Sequence, residues 1–173
     1  MAWQVDIAHT QVEFSIRHLG VSFIKGTMSV ADAELSLDES NPGATSLKGR
    51  MDMSTFTTHN ATRDGHLKSA DFFDVENYPY IEFATKNVTD KGNGRFSVVG
   101  ELTVKGKAGE VVLEGEYAGP VNDPVSGKRK VGFTMRGEID KTTFGVTWNV
   151  PMEGGFMLAD KVTLDINAQA IES

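Results

Sequence analysis

A short charged segment, residues 59–73, carries the side chains whose types and spacing could do chemistry. It begins with Asn60, a residue that commonly caps helices, and a spacing of three and four replaces the alternation found elsewhere in the chain. The sequence therefore predicts a short helix over residues 60–70. On that helix Arg63 and His66 share a face, because side chains three and four positions apart are neighbours. That face therefore offers cations beside an apolar residue, Leu67.

The histidines of this chain do not form a recognisable metal motif. His59 and His66 are seven residues apart, and no His-Glu-x-x-His sequence occurs. A Gly-x-Ser-x-Gly sequence, which would suggest a hydrolase, is also missing. We therefore predict no metal, no cofactor and no catalytic residue, and an enzyme that uses Arg63, Asp64 and His66 stays open as an alternative.

Composition excludes several classes of function. Lysine and arginine number 17 against 24 acidic residues, which gives a net charge of −7. Nucleic acid is therefore not an expected partner, because a binder of phosphate backbones needs a basic surface. No apolar run approaches the roughly 20 residues that span a bilayer, so stable membrane insertion is not expected. The chain has no cysteine, which excludes disulfides and thiol chemistry.

The N-terminal sequence enters a strand pattern at once, without the basic and apolar regions of a secretion leader. If Met1 is the native start, we expect a cytoplasmic protein, and a periplasmic one if a leader has been removed. At 173 residues without an obvious linker, the chain is expected to form a single domain over residues 1–173.

Alternation of apolar and polar residues dominates the rest of the chain. Val12, Phe14 and Ile16 alternate with polar residues, and similar runs recur at intervals of about 8–15 residues. This pattern predicts an all-β antiparallel fold, and about eight long strands favour a closed barrel. Residues 119–130 are predicted to form a long polar loop, and residues 146–150 another alternating strand.

A barrel of about eight strands can be filled by its own side chains or can hold one small ligand. The expected inward set contains flexible or small residues, namely Met28, Met51, Met53, Met135, Gly49 and Gly100. Methionine adapts to irregular apolar shapes and glycine leaves room, but ordinary core packing explains them equally well. The apolar segment 152–158 could close an apolar mouth or form a dimer interface.

Short motifs in a fixed order over nearly the whole chain resemble the YceI-like polyisoprenoid-binding family. The opening motif is carried by Trp3, Asp6, His9, Thr10, Val12, Phe14, Ile16 and His18. The central motif is carried by Arg63, Asp64, His66, Leu67, Asp71, Phe72, Phe73, Tyr78, Pro79 and Phe83. The run of residues 100–106 and the pair Phe144-Gly145 complete the resemblance.

The resemblance implies an extended, lipocalin-like antiparallel barrel with a helical insert, often dimeric. Its tunnel would bind, store or transport a long amphiphilic lipid such as a polyisoprenoid, an isoprenoid quinone or a fatty-acyl amide. We expect the apolar tunnel to be lined by Phe14, Ile16, Met28, Met51, Met53, Phe83, Phe133, Met135, Phe144, Trp148 and Phe156. The alternative is a dimeric interaction or stress-related module with a filled core.

Four basic side chains are the candidates for the polar end of such a lipid: Arg17, His18, Arg63 and His66. A guanidinium donates in a fork that suits phosphate, amide or quinone oxygens. Arg63 could instead pin the helix through a salt bridge, and we expect Asp64 and Asp71 to be structural. The sequence departs from the family where Lys141 and Thr143 stand in place of the common Arg and Asp.

Overall fold

The chain forms an antiparallel sheet that curls into a closed ring. The structure is a computed structural model that describes residues 2–173, so Met1, on which the expectation about a leader depends, lies outside the described residues. The strands are β1 (Trp3–Val5), β2 (Gln11–His18), β3 (Ser22–Ser36), β4 (Ser46–Thr57), β5 (Tyr80–Gly92), β6 (Arg95–Val104), β7 (Lys107–Asn122), β8 (Arg129–Asp140), β9 (Pro151–Met152), β10 (Gly155–Phe156) and β11 (Leu158–Glu172).

Eight long strands make the ring, and β11 closes it. Strands β2 to β8 pair in chain order, and β11 pairs with β2 along one edge and with β8 along the other. The all-β antiparallel barrel that the alternation predicts is therefore confirmed.

The first strand continues the line of β2 along the edge of β11. Val5 pairs with Ala170, whereas β2 pairs with the earlier part of β11 as far as Asn167. A single 3-10 turn, Ile7–His9, separates β1 from β2. The break expected near residues 8–10 is therefore present, and the two strands together extend the wall of the barrel.

The alternation of each strand sets which side chains face the interior. Val12, Phe14 and Ile16 are buried in β2 while their neighbours are more exposed. In β3 the inward positions change from even to odd numbers, because the register with β4 shifts between Val30 and Asp32. A β-bulge of this kind bends a strand without ending its pairing.

Two local predictions were wrong. Residues 119–130 are not one long loop, because β7 continues to Asn122 and β8 begins at Arg129. Residues 146–150 form no strand, and the small hairpin of β9 and β10 follows them. Turn-forming glycines and prolines suggested a loop in the first case, whereas cross-strand pairing extends the ladder through them.

The helical insert is present as α1 (Ala61–Leu67), slightly shorter than the predicted span. The Asn60 side chain accepts a hydrogen bond from the Arg63 backbone N–H at 3.0 Å, as expected of a helix cap. The chain after the helix carries Phe72, which is buried, and Phe73, which packs 5.3 Å from the Phe56 ring. These two rings anchor the insert over one end of the barrel.

Candidate functional site

The interior of the barrel contains two adjoining apolar cavities. The first, about 190 Å³, lies at the end that α1 covers, where Leu67, Phe72 and Phe73 line it. The second, about 340 Å³, lies towards the opposite end, where residues 38–45 and the end of β7 line it. The interior is therefore hollow, which differs from the filled core of the alternative interpretation.

The two cavities meet at a waist, defined by the residues that line both. These residues are Val5, Leu47, Phe83, Met135 and Ala168. All five side chains are apolar, so an apolar chain could pass from one cavity to the other without meeting a polar group. The two volumes therefore share an apolar boundary.

Glycines in the barrel wall keep aromatic rings out of the interior. A Cβ atom added at Gly100 would lie 2.3 Å from the Phe83 ring, and one added at Gly26 would lie 2.3 Å from the Phe14 ring. The rings therefore lie flat against the backbone of the neighbouring strand. If either glycine were replaced by a larger residue, the ring that covers it would have to move, and the cavity is the space into which it could move.

The structure places most of the expected tunnel residues at the cavities. The first cavity is lined by Phe14, Ile16, Met28, Met51, Phe83, Met135 and Phe144. Phe133 lines the second cavity.

The other three lie elsewhere. Met53 is fully buried among core side chains, and Trp148 packs on the His66 ring with its centroid 4.7 Å away. Phe156 is 62% exposed on the small hairpin of β9 and β10.

Arg63 and Asp64 both bind Thr58, at the end of β4. The Arg63 side chain donates to the Thr58 hydroxyl and to the Thr58 carbonyl, each at 2.8 Å. Asp64 accepts from the backbone N–H of Thr58 at 2.8 Å and also from its hydroxyl. Thr58 is buried, so this arrangement fixes the helix to the barrel and satisfies polar groups that would be costly to leave unpaired.

The environment of Asp64 favours its charged form. Burial raises the pKa of the Asp64 carboxyl, but hydrogen bonds from Thr58 and Thr57 outweigh that effect, so the pKa lies below its usual value. The charged carboxylate of Asp64 is thus engaged in holding the helix to Thr58.

The other basic candidates lie on the outside of the barrel. Arg17 donates to the Gly20 carbonyl at 3.0 Å and lies over the Phe23 ring, 5.0 Å from its centroid. His66 Nε2 is 2.9 Å from the Asp71 carboxylate.

His18 is half-buried at the end of β2. Among the described residues, none of Arg17, His18, Arg63 and His66 lines either cavity, so their role at a polar end stays a prediction.

A residue that the sequence interpretation did not select, Lys141, lines the first cavity. It begins the 3-10 turn Lys141–Phe144 after β8, and its side chain is only 7% exposed. Its Nζ lies 3.1 Å from the carboxylate of Asp160. The alternation of β8 could have found it, because Ile139 and Met135, two and six positions earlier in the same odd-numbered series, also line this cavity.

An ion-pair network lies beside the second cavity. Glu39, which lines that cavity, accepts from Arg129 at 2.8 Å, and Arg129 also contacts Glu172 at 3.2 Å. The hydrogen bond from Arg129 lowers the pKa of Glu39 below its usual value. The segment that carries Glu39 is thereby held to the first residue of β8, 90 positions away in sequence.

The hairpin tips at the α1 end expose an apolar patch. It consists of Leu19, Val21, Phe23, Val150, Met152 and Phe156. A hydrogen bond of 2.7 Å from the Leu19 backbone N–H to the Met157 carbonyl joins the β2–β3 turn to the small hairpin. Contiguous exposed apolar residues of this kind commonly mark interaction sites.

Two further kinds of site have no candidate within residues 2–173. No group of three histidine, aspartate or glutamate side chains lies close enough together to hold a metal ion. The only α-helix found there, α1, has seven residues, and no described helix is long and apolar enough to cross a membrane.

Sequence comparison identifies relatives over almost the whole chain. A family model described as YceI-like domain matches residues 3–170. A protein of Staphylococcus epidermidis named UPF0312 protein SERP2314 is 35% identical over 167 residues, which cover 95% of this chain and 94% of the relative.

Solved structures show the same fold. BcnA of Burkholderia cenocepacia superposes with a TM-score of 0.81 at 21% identity, covering 96% of this chain and 99% of that one. A polyisoprenoid binding domain from Saccharophagus degradans superposes with a TM-score of 0.67 at 10% identity, covering 100% of this chain and 99% of that one. These likenesses confirm the lipocalin-like barrel with its helical insert.

Proposed function

Since this chain belongs to the YceI-like domain family, we propose that it binds a long amphiphilic lipid inside the barrel and stores or transports it without chemical change. The observation that carries this proposal is the pair of apolar cavities that meet at an apolar waist. Ligand sites in proteins are commonly concave and mostly apolar, with few polar groups, and the interior has this character. A neighbour with the same fold is described as a polyisoprenoid binding domain, which supports an isoprenoid-like ligand.

The contacts of the helical insert favour binding over catalysis. Arg63 and Asp64 are both engaged with Thr58, and His66 is engaged with Asp71. The three side chains of the enzyme alternative therefore do not converge on one point where a substrate could react. A reaction centre needs a nucleophile, base or electrophile in mutual reach.

The test of the proposal is native mass spectrometry of protein purified gently and without detergent. We expect a bound species with the mass of an amphiphilic lipid, released on denaturation and identified by lipid extraction. Reconstitution of the delipidated protein with that lipid should restore the complex. Repeated purification with an empty barrel, together with no uptake of isoprenoid or acyl lipids, would contradict the proposal.

We also propose that the apolar patch at the hairpin tips forms a homodimer interface. The strongest support is Phe156, a large apolar side chain that is 62% exposed beside Met152 on the same hairpin. Burial of such residues against a second copy would remove apolar area from water.

Analytical ultracentrifugation tests this interface with two matched variants. Phe156→Asp should convert the dimer to a monomer, because it places a charge in the buried contact. Val125→Asp is the control, since Val125 is exposed in the loop between β7 and β8, away from the patch, and should leave the dimer intact. A dimer that survives Phe156→Asp would show that the patch is not the interface.

A further inference from the structure

Polar side chains line the two cavities unequally. The first cavity presents apolar surface alone, because its two polar lining residues, Thr10 and Lys141, are bonded elsewhere. Thr10 donates to the Asp6 carbonyl at 2.7 Å, and the Lys141 ammonium group donates to the Asp160 carboxylate at 3.1 Å. The polar end of a bound amphiphile therefore fits the second cavity better than the first.

Seven polar side chains belong to the lining of the second cavity. Six of them have hydrogen-bond partners within residues 2–173, namely Asp38, Glu39, Thr45, Thr85, Asp90 and Gln169. The seventh is Tyr117, whose hydroxyl has no such partner in the described part of the chain. A tyrosine hydroxyl can both donate and accept a hydrogen bond.

The position of Tyr117 in β7 directs its ring into the barrel. It continues the inward series of the buried Leu113, whereas Glu114 and Glu116 between them are exposed. The ring packs 6.4 Å from the ring of Phe96, which also lines the second cavity. Every fully buried side-chain nitrogen or oxygen atom within residues 2–173 has a hydrogen-bond partner. The unpartnered hydroxyl of Tyr117 is therefore accessible, and the open space beside its inward ring is the second cavity.

The charges around this cavity favour an uncharged head group. Asp38, Glu39 and Asp90 line it, and none of the described residues in its lining is basic. Hydrogen bonds from neighbouring side chains lower the pKa of the Asp38 and Glu39 carboxyls, so both are charged at neutral pH. The cation beside them, Arg129, is shared between Glu39 and a second carboxylate. A phosphate or carboxylate head group would therefore be repelled.

We propose that the lipid places an uncharged polar head group in the second cavity, where it forms a hydrogen bond with the Tyr117 hydroxyl. An amide, an alcohol or a quinone carbonyl meets this requirement. The apolar chain then crosses the waist into the first cavity. This inference rests on the proposed function, because it assigns the polar end and the head-group class of the same site.

The experiment compares two ligands that share a C18 hydrocarbon chain. Oleamide carries an uncharged polar head and octadecene carries none, so the ratio of their affinities for delipidated protein measures head-group recognition. Tyr117→Phe removes the hydroxyl and keeps the ring that packs on Phe96. We expect it to reduce the affinity for oleamide by about three- to tenfold, the usual effect of one hydrogen bond, and to leave octadecene unchanged.

Tyr80→Phe is the matched control. Tyr80 is 38% exposed and lies outside both cavities, with its ring centroid 4.3 Å from the Arg50 guanidinium carbon. The control should leave the affinities for both ligands unchanged.

A second variant tests the charge argument independently of Tyr117. Asp90→Asn removes one negative charge from the lining of the second cavity. We expect the affinity for oleate at neutral pH to rise about two- to fivefold, the range of an exposed charge pair, and that for oleamide to stay unchanged. Wild-type protein that prefers oleate to oleamide, or an unchanged oleate affinity in Asp90→Asn, overturns the assignment of an uncharged head group.

The outcomes separate this inference from the proposed function. Wild-type protein that binds oleamide and octadecene, with a ratio of affinities unchanged by Tyr117→Phe, contradicts only the role of Tyr117. Wild-type protein that binds neither ligand contradicts the tunnel itself and the head-group site with it.

Discussion

At the scale of single residues, Thr58 explains why an arginine and an aspartate stand next to each other in the helix. Its hydroxyl donates to Asp64 and accepts from Arg63, and its backbone groups bind the same two side chains. Removal of either partner would leave buried polar atoms of Thr58 unpaired. Charged residues that could have served a ligand therefore hold the insert in place.

We predict that Arg63→Ala destabilises the protein without loss of ligand. The free energy of unfolding should fall by about 1–3 kcal/mol, the usual cost of leaving buried acceptors unsatisfied. Denaturant unfolding and ligand affinity are measured on the same samples. Arg17→Ala is the control, because the hydrogen bonds of Arg17 found within residues 2–173 go to an exposed turn carbonyl, that of Gly20, and it should change the stability by less. Lost affinity at unchanged stability would instead support Arg63 as a contact for the polar end of the ligand.

We predict that Asp64→Asn destabilises the protein at neutral pH and that its effect disappears in acid. The pKa of Asp64 is lowered in the folded protein, so its charged form stabilises the fold above the unfolded pKa near 3.8. This contribution is lost as the pH falls through the folded pKa. Unfolding curves at pH 7 and at a pH below the folded pKa of Asp64, well under 3.8, test the prediction, with Asp71→Asn, at an exposed pair, as the control. An equal difference from wild type at both pH values would contradict it.

At the scale of strands, paired glycines and aromatic rings decide how much of the interior stays open. Phe14 and Gly26 are direct partners on β2 and β3, and Phe96 and Gly115 are direct partners on β6 and β7. In each pair a ring covers the glycine of the adjacent strand. These aromatic side chains therefore lie flat against the adjacent strand and leave the interior open.

We predict that Gly100→Ala narrows the waist between the two cavities. The added methyl group would lie 2.3 Å from the Phe83 ring, so the ring must swing towards the waist that it lines. Binding of a long lipid should weaken, and overpacking should reduce the stability by about 1–3 kcal/mol. Gly132→Ala is the control, because its added Cβ meets nothing closer than 4.0 Å. Unchanged lipid binding in Gly100→Ala would show that Phe83 does not control the waist.

Much of this architecture could be predicted from the sequence, because the alternation of apolar and polar residues determines which side chains of a strand face the interior. The inward faces of β2, β3 and β4 were predicted correctly at positions such as Val12, Met28 and Met51. The loop at residues 119–130 was not, since glycine and proline suggest a turn even where partner strands extend the ladder.

The buried Lys141 was missed for a different reason. Lysine is seldom buried without a partner, and its partner Asp160 is distant enough in sequence that only the fold brings the two together.

At the scale of the whole molecule, closure of the sheet into a barrel encloses an interior volume. The contact of β11 with both β2 and β8 leaves no open edge among the long strands, and the interior becomes a bounded apolar volume. The α1 insert covers one end of the barrel. At the opposite end, the Glu39–Arg129 ion pair holds the segment that carries Glu39 beside the second cavity. A lipid chain bound as we propose would lie along the barrel axis and cross the waist.

We predict that affinity depends on ligand length in a way that reveals the two cavities. Burial contributes about 0.8 kcal/mol per methylene, so each carbon added to an n-alkyl amide should raise the affinity about fourfold while it enters the apolar volume. Titration below the micelle concentration of each amide measures this series. In wild-type protein the rise should continue as the chain passes the waist from one cavity into the other. In Gly100→Ala the rise in affinity should stop at a shorter chain, because the displaced Phe83 ring blocks the waist between the two cavities. If the affinity stops rising at the same chain length in both proteins, the waist has no influence on how far the chain extends. That outcome would mean that the two cavities do not act as one site.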